Sequence, residues 1–60
     1  MFNYKKIGGG VIDGYWVVFF IDEHGDDVNM YFTNYEEKAF EKAKYLNDIL
    51  KSFIRIIKNL

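Results

Sequence analysis

From Tyr15 to Ile21 the chain reads YWVVFFI, an unbroken run of large apolar residues. The acid-rich hexapeptide DEHGDD follows, and VNMYFT then returns to apolar and aromatic positions. Two strands separated by a turn account for this pattern, with Gly25 able to take positive φ and the acids acting as turn formers. Upstream, Asp13-Gly14 lies between apolar pairs, the composition of a two-residue hairpin turn that requires positive φ at both positions. The pattern therefore predicts strands at about 4–12, 15–21 and 28–33, joined by short turns into an antiparallel meander. Gly8-Gly9-Gly10 falls inside the first of these. Glycine there marks a bulge or a close backbone approach; alternatively the first strand is only residues 10–12, preceded by a loose arm.

Past Thr33 the period changes. Ala39, Ala43, Leu46, Leu50, Phe53, Ile57 and Leu60 are spaced alternately four and three apart, with no Gly or Pro from Tyr35 onward. This is a seven-residue helical repeat and predicts a helix over about 35–58. Phe40, Ile49, Ile54 and Ile56 widen the stripe towards its C-terminal half. Thr33 or Asn34, each with Glu three positions later, predicts a capping box. The whole is a single α+β domain, 1–60, in which a three-stranded antiparallel meander is followed by one long helix packed on one sheet face (βββα). A helix of that length runs ~36 Å, against ~23 Å for a seven-residue strand. The last ten residues, the most apolar part of the helix, must therefore project beyond the sheet. Otherwise the helix breaks near Asn47-Asp48 and folds back.

In the middle strand Tyr15, Val17, Phe19 and Ile21 point one way and Trp16, Val18 and Phe20 the other. One helix covers one face, and an antiparallel sheet ordinarily leaves the second face polar. Here that second face is apolar whichever parity is inward, the kind of patch that marks an interface. Placing Val28, Met30 and Phe32 inward lets Asn29 and Thr33 face water. The expected partner-binding surface is then Trp16, Val18, Phe20 and Tyr31, rimmed by Asp22, Glu23, Asp26 and Asp27. The projecting helix is expected to pair two chains through Leu46, Leu50, Phe53, Ile54, Ile57 and Leu60.

Composition narrows the chemistry. Half of the 60 residues are hydrophobic, too apolar for a disordered chain. A chain this short is marginal alone, and with no Cys and one His neither disulfides nor a structural zinc site support it. Oligomerisation or unusually good packing remains. The net charge of −1 is unevenly spread. Asp13, Asp22, Glu23, Asp26, Asp27, Glu36, Glu37 and Glu41 stand against Lys38 alone, whereas Lys42, Lys44, Lys51, Arg55 and Lys58 stand against Asp48 alone. Such asymmetry steers encounter with charged partners. Lys5 and Lys6 run into IGGG with no apolar core of a signal peptide behind them, and no run reaches the ~20 residues of a membrane span. A cytoplasmic location is the expectation.

Catalytic readings fail on residue types. DEHGDD offers metal-ligating groups, but an EF-hand loop counted from Asp22 needs Gly and Glu where Asp27 and Thr33 stand. His24 has no nucleophile nearby in sequence, Ser52 lying far along the helix. The glycine triplet lacks the Lys-Ser/Thr of a phosphate loop. Glu36, Glu37 and Glu41 are more simply helix-dipole partners and salt-bridge formers. No cofactor, metal or enzymatic activity is expected. The segment ILKSFIRIIKNL is basic and amphipathic enough to lie on an anionic membrane, though a dimer seam or intrachain core is the simpler reading.

Residues 13–47 resemble the N-terminal arm-type DNA-binding module of phage and transposon integrases. The resemblance is carried by Gly14-x-Trp16, Asp22-Glu23-His24-Gly25, Phe32-Thr33 and Glu37-Lys38-Ala39. It implies a three-stranded sheet plus helix, with the sheet in the major groove. Phosphate contacts dominate nucleic-acid affinity, yet the second and third strands contain no Lys or Arg and their turn carries four acids. Sheet-mediated DNA binding is thereby disfavoured, although stacking of single strands on Trp16, Phe20 and Tyr31 is open. The preferred expectation is a non-catalytic protein-interaction module. By analogy with small phage and mobile-element proteins, it would inhibit a basic, nucleic-acid-handling host protein. A nucleic-acid-binding module and a structural homodimer are the alternatives.

Overall fold

A computed structural model describes residues 1–9 and 12–60, with the backbone alone for residues 12 and 13. Three strands, β1 (Asn3–Gly9), β2 (Ile12–Ile21) and β3 (Asp27–Thr33), form one antiparallel sheet in the order β1-β2-β3. They are followed by a single helix, α1 (Glu36–Lys58). The predicted α+β, βββα architecture is the one observed.

The hairpin between β1 and β2 differs from expectation. Gly9 pairs with Ile12, so Asp13 and Gly14 lie within β2 rather than in a turn. The predicted continuation of the first strand through residues 10 and 11 falls outside the described residues. Gly14 serves a different need. A Cβ there would stand 2.7 Å from Lys6 Cε, 3.2 Å from the Ile7 carbonyl oxygen and 3.3 Å from Gly8 C. The two backbones cross closely at this point because β1 bulges between Ile7 and Gly9. Gly8 and Gly9 take φ of 86° and 122° at the bulge, a region L side chains avoid. The glycine triplet thus acts as a bulge at its first two members.

A second bulge decides which side chains face the helix. Val17 pairs with Phe32 and Val18 with Tyr31, but Phe19 pairs with Asn29 and Phe20 with Val28, leaving Met30 as the extra residue. Cross-strand partners share a face. Tyr31 and Val28 therefore lie on the side of Val18 and Phe20, and Phe32 lies on the opposite side with Val17. The expected grouping of Val28, Met30 and Phe32 on one inward face is broken, since one inserted residue inverts the alternation.

The inward face is the one carrying Trp16, Val18 and Phe20. Fully buried Val18 packs with Ala39 and Ala43 of α1, and Phe2, Tyr4, Trp16, Tyr31 and Leu46 close around them. Two alanines at the contact let the helix approach the sheet, while the aromatic rings fill its flanks. Phe2 meets Phe20 edge-on at 5.5 Å, and Tyr4 lies 5.8 Å from Trp16 and 6.2 Å from Phe40.

α1 runs without a break through Asn47 and Asp48. Asn47 is instead a tie: its Oδ1 accepts from the Phe2 backbone N–H at 2.7 Å and its Nδ2 donates to the Phe2 carbonyl at 3.0 Å. The predicted capping box does not form. Tyr35 occupies the N-cap without a side-chain hydrogen bond, and the Thr33 hydroxyl accepts from the Tyr35 N–H at 3.2 Å, one residue short of the Glu36 N–H that a capping box would use. Glu36 and Glu37 in the first turn, and Arg55 and Lys58 in the last, complement the helix dipole.

Candidate interaction surfaces

Two exposed apolar surfaces lie on opposite layers of the fold. The first is the open sheet face. Pairing of Asn3, Lys5 and Ile7 with Phe19, Val17 and Tyr15 places these residues there together, with Ile21 and Phe32. Val17 at the centre is fully buried although no helix covers it; Lys5 and Phe32, its neighbours in register, are large enough to close over it. Around it Ile21 and Phe32 stay 53% and 57% exposed, with the Tyr15 and Phe32 rings 5.9 Å apart. Lys5 reaches diagonally across the face. Its Nζ sits 4.6 Å from the centre of the Phe19 ring and ends on the Asp27 carboxylate, so its stem covers apolar surface and its charge is neutralised at the rim.

The acidic turn between β2 and β3 forms one end of this face. Asp22 builds the turn: its Oδ1 accepts from the His24 and Asp26 backbone N–H groups, each at 2.9 Å. The Asp22 N–H bonds the Asp26 carbonyl at 2.9 Å, and Gly25, at φ 85°, donates to the Asp22 carbonyl at 3.1 Å. Of the four expected rim acids, Asp22 is thus engaged in the turn and Asp27 in the pair with Lys5. Glu23 and Asp26 remain exposed, with Glu23 Oε1 3.6 Å from His24 Nε2. Among the described residues, no three metal-ligating side chains gather at one point.

The second surface is the projecting part of α1. Asn47 bonds Phe2, whose ring meets Phe20 near the end of β2. The helix therefore leaves the sheet at the end where the acidic turn lies. Every residue from Lys51 to Leu60 is exposed, and the molecule is 52 Å long but only 26 Å wide and 10 Å deep between Cα extremes. The expected overhang is present. Of the residues assigned to pairing, Leu46 and Leu50 are half-buried, while Phe53, Ile54, Ile57 and Leu60 are exposed, as are Tyr45, Ile49 and Ile56 beside them. No helix among the described residues is long and apolar enough to cross a membrane.

The partner anchors expected from sequence occupy the other side of the sheet from the open face. Trp16, Val18, Phe20 and Tyr31 lie under α1, where Val18 is fully buried. The residues that carry the open face, Tyr15, Phe19, Ile21 and Phe32, were visible in the sequence as the alternative parity, and only the bulge at Met30 hid the choice. Lys5 and Asn47 had no sequence signal beyond their polarity.

The fold and these surfaces define a small sheet-and-helix module with an open aromatic face, an acidic rim and an apolar helical extension. Comparison with protein families, with curated proteins and with solved structures finds no match to this chain.

Proposed function

We propose that this chain is a non-catalytic protein-binding module whose open sheet face docks on a basic protein surface. The observation that carries the reading is the coincidence of an apolar face, with exposed Tyr15, Ile21 and Phe32 around half-buried Phe19, and an acidic turn at its edge. Aromatic residues with few charges compose interface centres, and a charged rim selects and steers the partner. Among the described residues the only lysine on the face, Lys5, is held on Asp27, leaving Glu23 and Asp26 to set the sign. That sign repels phosphate backbones and suits proteins that carry basic nucleic-acid-binding grooves, whose occlusion would inhibit them.

The test is affinity capture from cell extract with the wild-type chain and two variants, followed by mass spectrometry. A basic protein captured by the wild type and by Phe53→Asp, but lost with Phe32→Asp, supports the reading. Equal capture by Phe32→Asp and wild type, or tight binding to DNA duplex that weakens steeply with salt, overturns it.

A further inference from the structure

The projecting helix carries more apolar surface than the fold uses. Ile49, Phe53, Ile54, Ile56, Ile57 and Leu60 are between 42% and 99% exposed. On the scale of large side chains each leaves roughly 100 Å² in water. Joining two such segments would bury at most roughly 1,200 Å² in all, the lower edge of specific protein interfaces. Leu50, Phe53, Ile57 and Leu60 also keep the alternating three-and-four spacing of a helix-pairing seam. Upstream, Ala39 and Ala43 continue the seam but are covered by the sheet, so only the projecting part is free to pair.

We infer that this surface is occupied by a second copy of the chain, its helix antiparallel to the first. Leu50 of each copy then lies opposite Leu60 of the other, and Phe53 opposite Ile57. The sheet selects the direction. In a parallel pair the two sheets, each lying on the seam side of its own helix over Ala39 and Ala43, would compete for the same space. Lys51, Arg55 and Lys58 are the only charged residues beyond Ile49 in the helix, and all are basic. An antiparallel pair carries each basic tip back to the other copy's sheet end, where Glu23 and Asp26 are exposed. The sheet itself fixes the overlap, because a tip reaching past Leu50 would run into the other copy's β2–β3 end. The contact is isologous and closes on itself as a dimer, and it lies in the helix layer, leaving the open sheet face free.

Sedimentation velocity of the full chain at tens of micromolar gives the first reading. The wild type should run as a dimer, and the Phe53→Asp, Ile57→Asp double variant as a monomer with Trp16 fluorescence unchanged, since neither residue touches the core. A wild-type monomer overturns the proposal. Direction is read by oxidation, which is clean because the chain has no Cys. Leu50→Cys and Leu60→Cys chains should cross-link when mixed and not when alone; cross-linking of either alone, without the mixed product, overturns the antiparallel arrangement. Lys58→Glu should weaken association about tenfold, in line with the cost of placing like charges together, and an unchanged dissociation constant refutes the seating of the tip on the acidic end.

Discussion

Replacing Asn47 with Ala removes the side chain whose hydrogen bonds, among the described residues, tie the N-terminal segment to the helix. Two half-buried hydrogen bonds disappear, from the Phe2 N–H at 2.7 Å and to the Phe2 carbonyl at 3.0 Å. Each is worth about 0.5–1.5 kcal/mol net. Phe2 then has less to hold its ring against Phe20, an edge-on pair worth about 0.5–1.5 kcal/mol beyond its buried area. Water can reach the freed backbone groups, so the losses do not add in full, and a destabilisation of about 2 kcal/mol is expected. For a chain of this length the whole stability is ~3–9 kcal/mol, and each kcal/mol moves the midpoint by ~4–8 °C. Thermal unfolding followed by circular dichroism, at one protein concentration for both chains, should show Tm lower by about 8–16 °C. Asn47→Asp keeps the acceptor for the Phe2 N–H and should fall between. Deleting Met1 and Phe2 in the Asn47→Ala background should cost little more than the deletion alone, because both act through one contact. A Tm within two or so degrees of wild type for Asn47→Ala, or full additivity with the deletion, would show that the tie contributes nothing.

Trp16→Ala should leave a largely unfolded chain, since a core aromatic costs about 3–5 kcal/mol to truncate; retention of a cooperative melt near the wild-type midpoint would place Trp16 outside the core. Gly14→Ala is expected to lose about 1–3 kcal/mol because the Ile7 and Gly8 backbone must give way, and urea denaturation measures it; a neutral result would mean that β1 and β2 separate easily at the bulge. Asp22→Ala removes two hydrogen bonds to backbone N–H groups in an exposed turn and should cost about 1–2 kcal/mol, whereas Glu23→Ala should be nearly neutral; equal effects would contradict the division of roles within the turn. Tm should rise with protein concentration, as mass action requires of a dimer that stabilises the folded state, and a flat profile from low to high micromolar would count against pairing.

How far these features could be read from residues alone follows from how local their causes are. The βββα order, the acidic turn at Gly25 and the overhang of the helix rest on short-range periodicity and on element lengths, and they were legible. Which sheet face turned inward was not. That depends on Met30, an apolar residue in an apolar strand whose insertion as a bulge reverses the alternation of everything beyond it. Asp13-Gly14 carried the composition of a turn, yet Gly14 is required where two backbones approach, a demand made by β1 and invisible within β2. Asn47 joins the helix to a residue 45 positions away, and no local pattern encodes such a contact. The two open surfaces were foreseeable as a surplus of apolar side chains, but the side of the sheet on which the surplus lay was not.

On the two readings together, the acidic turn links the surfaces. It stands where the sheet layer ends and the helix extension begins, so a partner on the open face and a second copy on the helix approach it from opposite sides. Their contacts with Glu23 and Asp26 draw on the same negative charge. A basic tip seated there reduces the attraction offered to a basic partner, and by linkage the partner reduces the attraction offered to the tip to the same degree. The apolar parts of the two surfaces do not overlap, so the antagonism is electrostatic alone and fades as salt screens it over ~8–10 Å. Asp22 keeps its place in this scheme by holding the turn's shape, which presents the two exposed acids at the end of both layers.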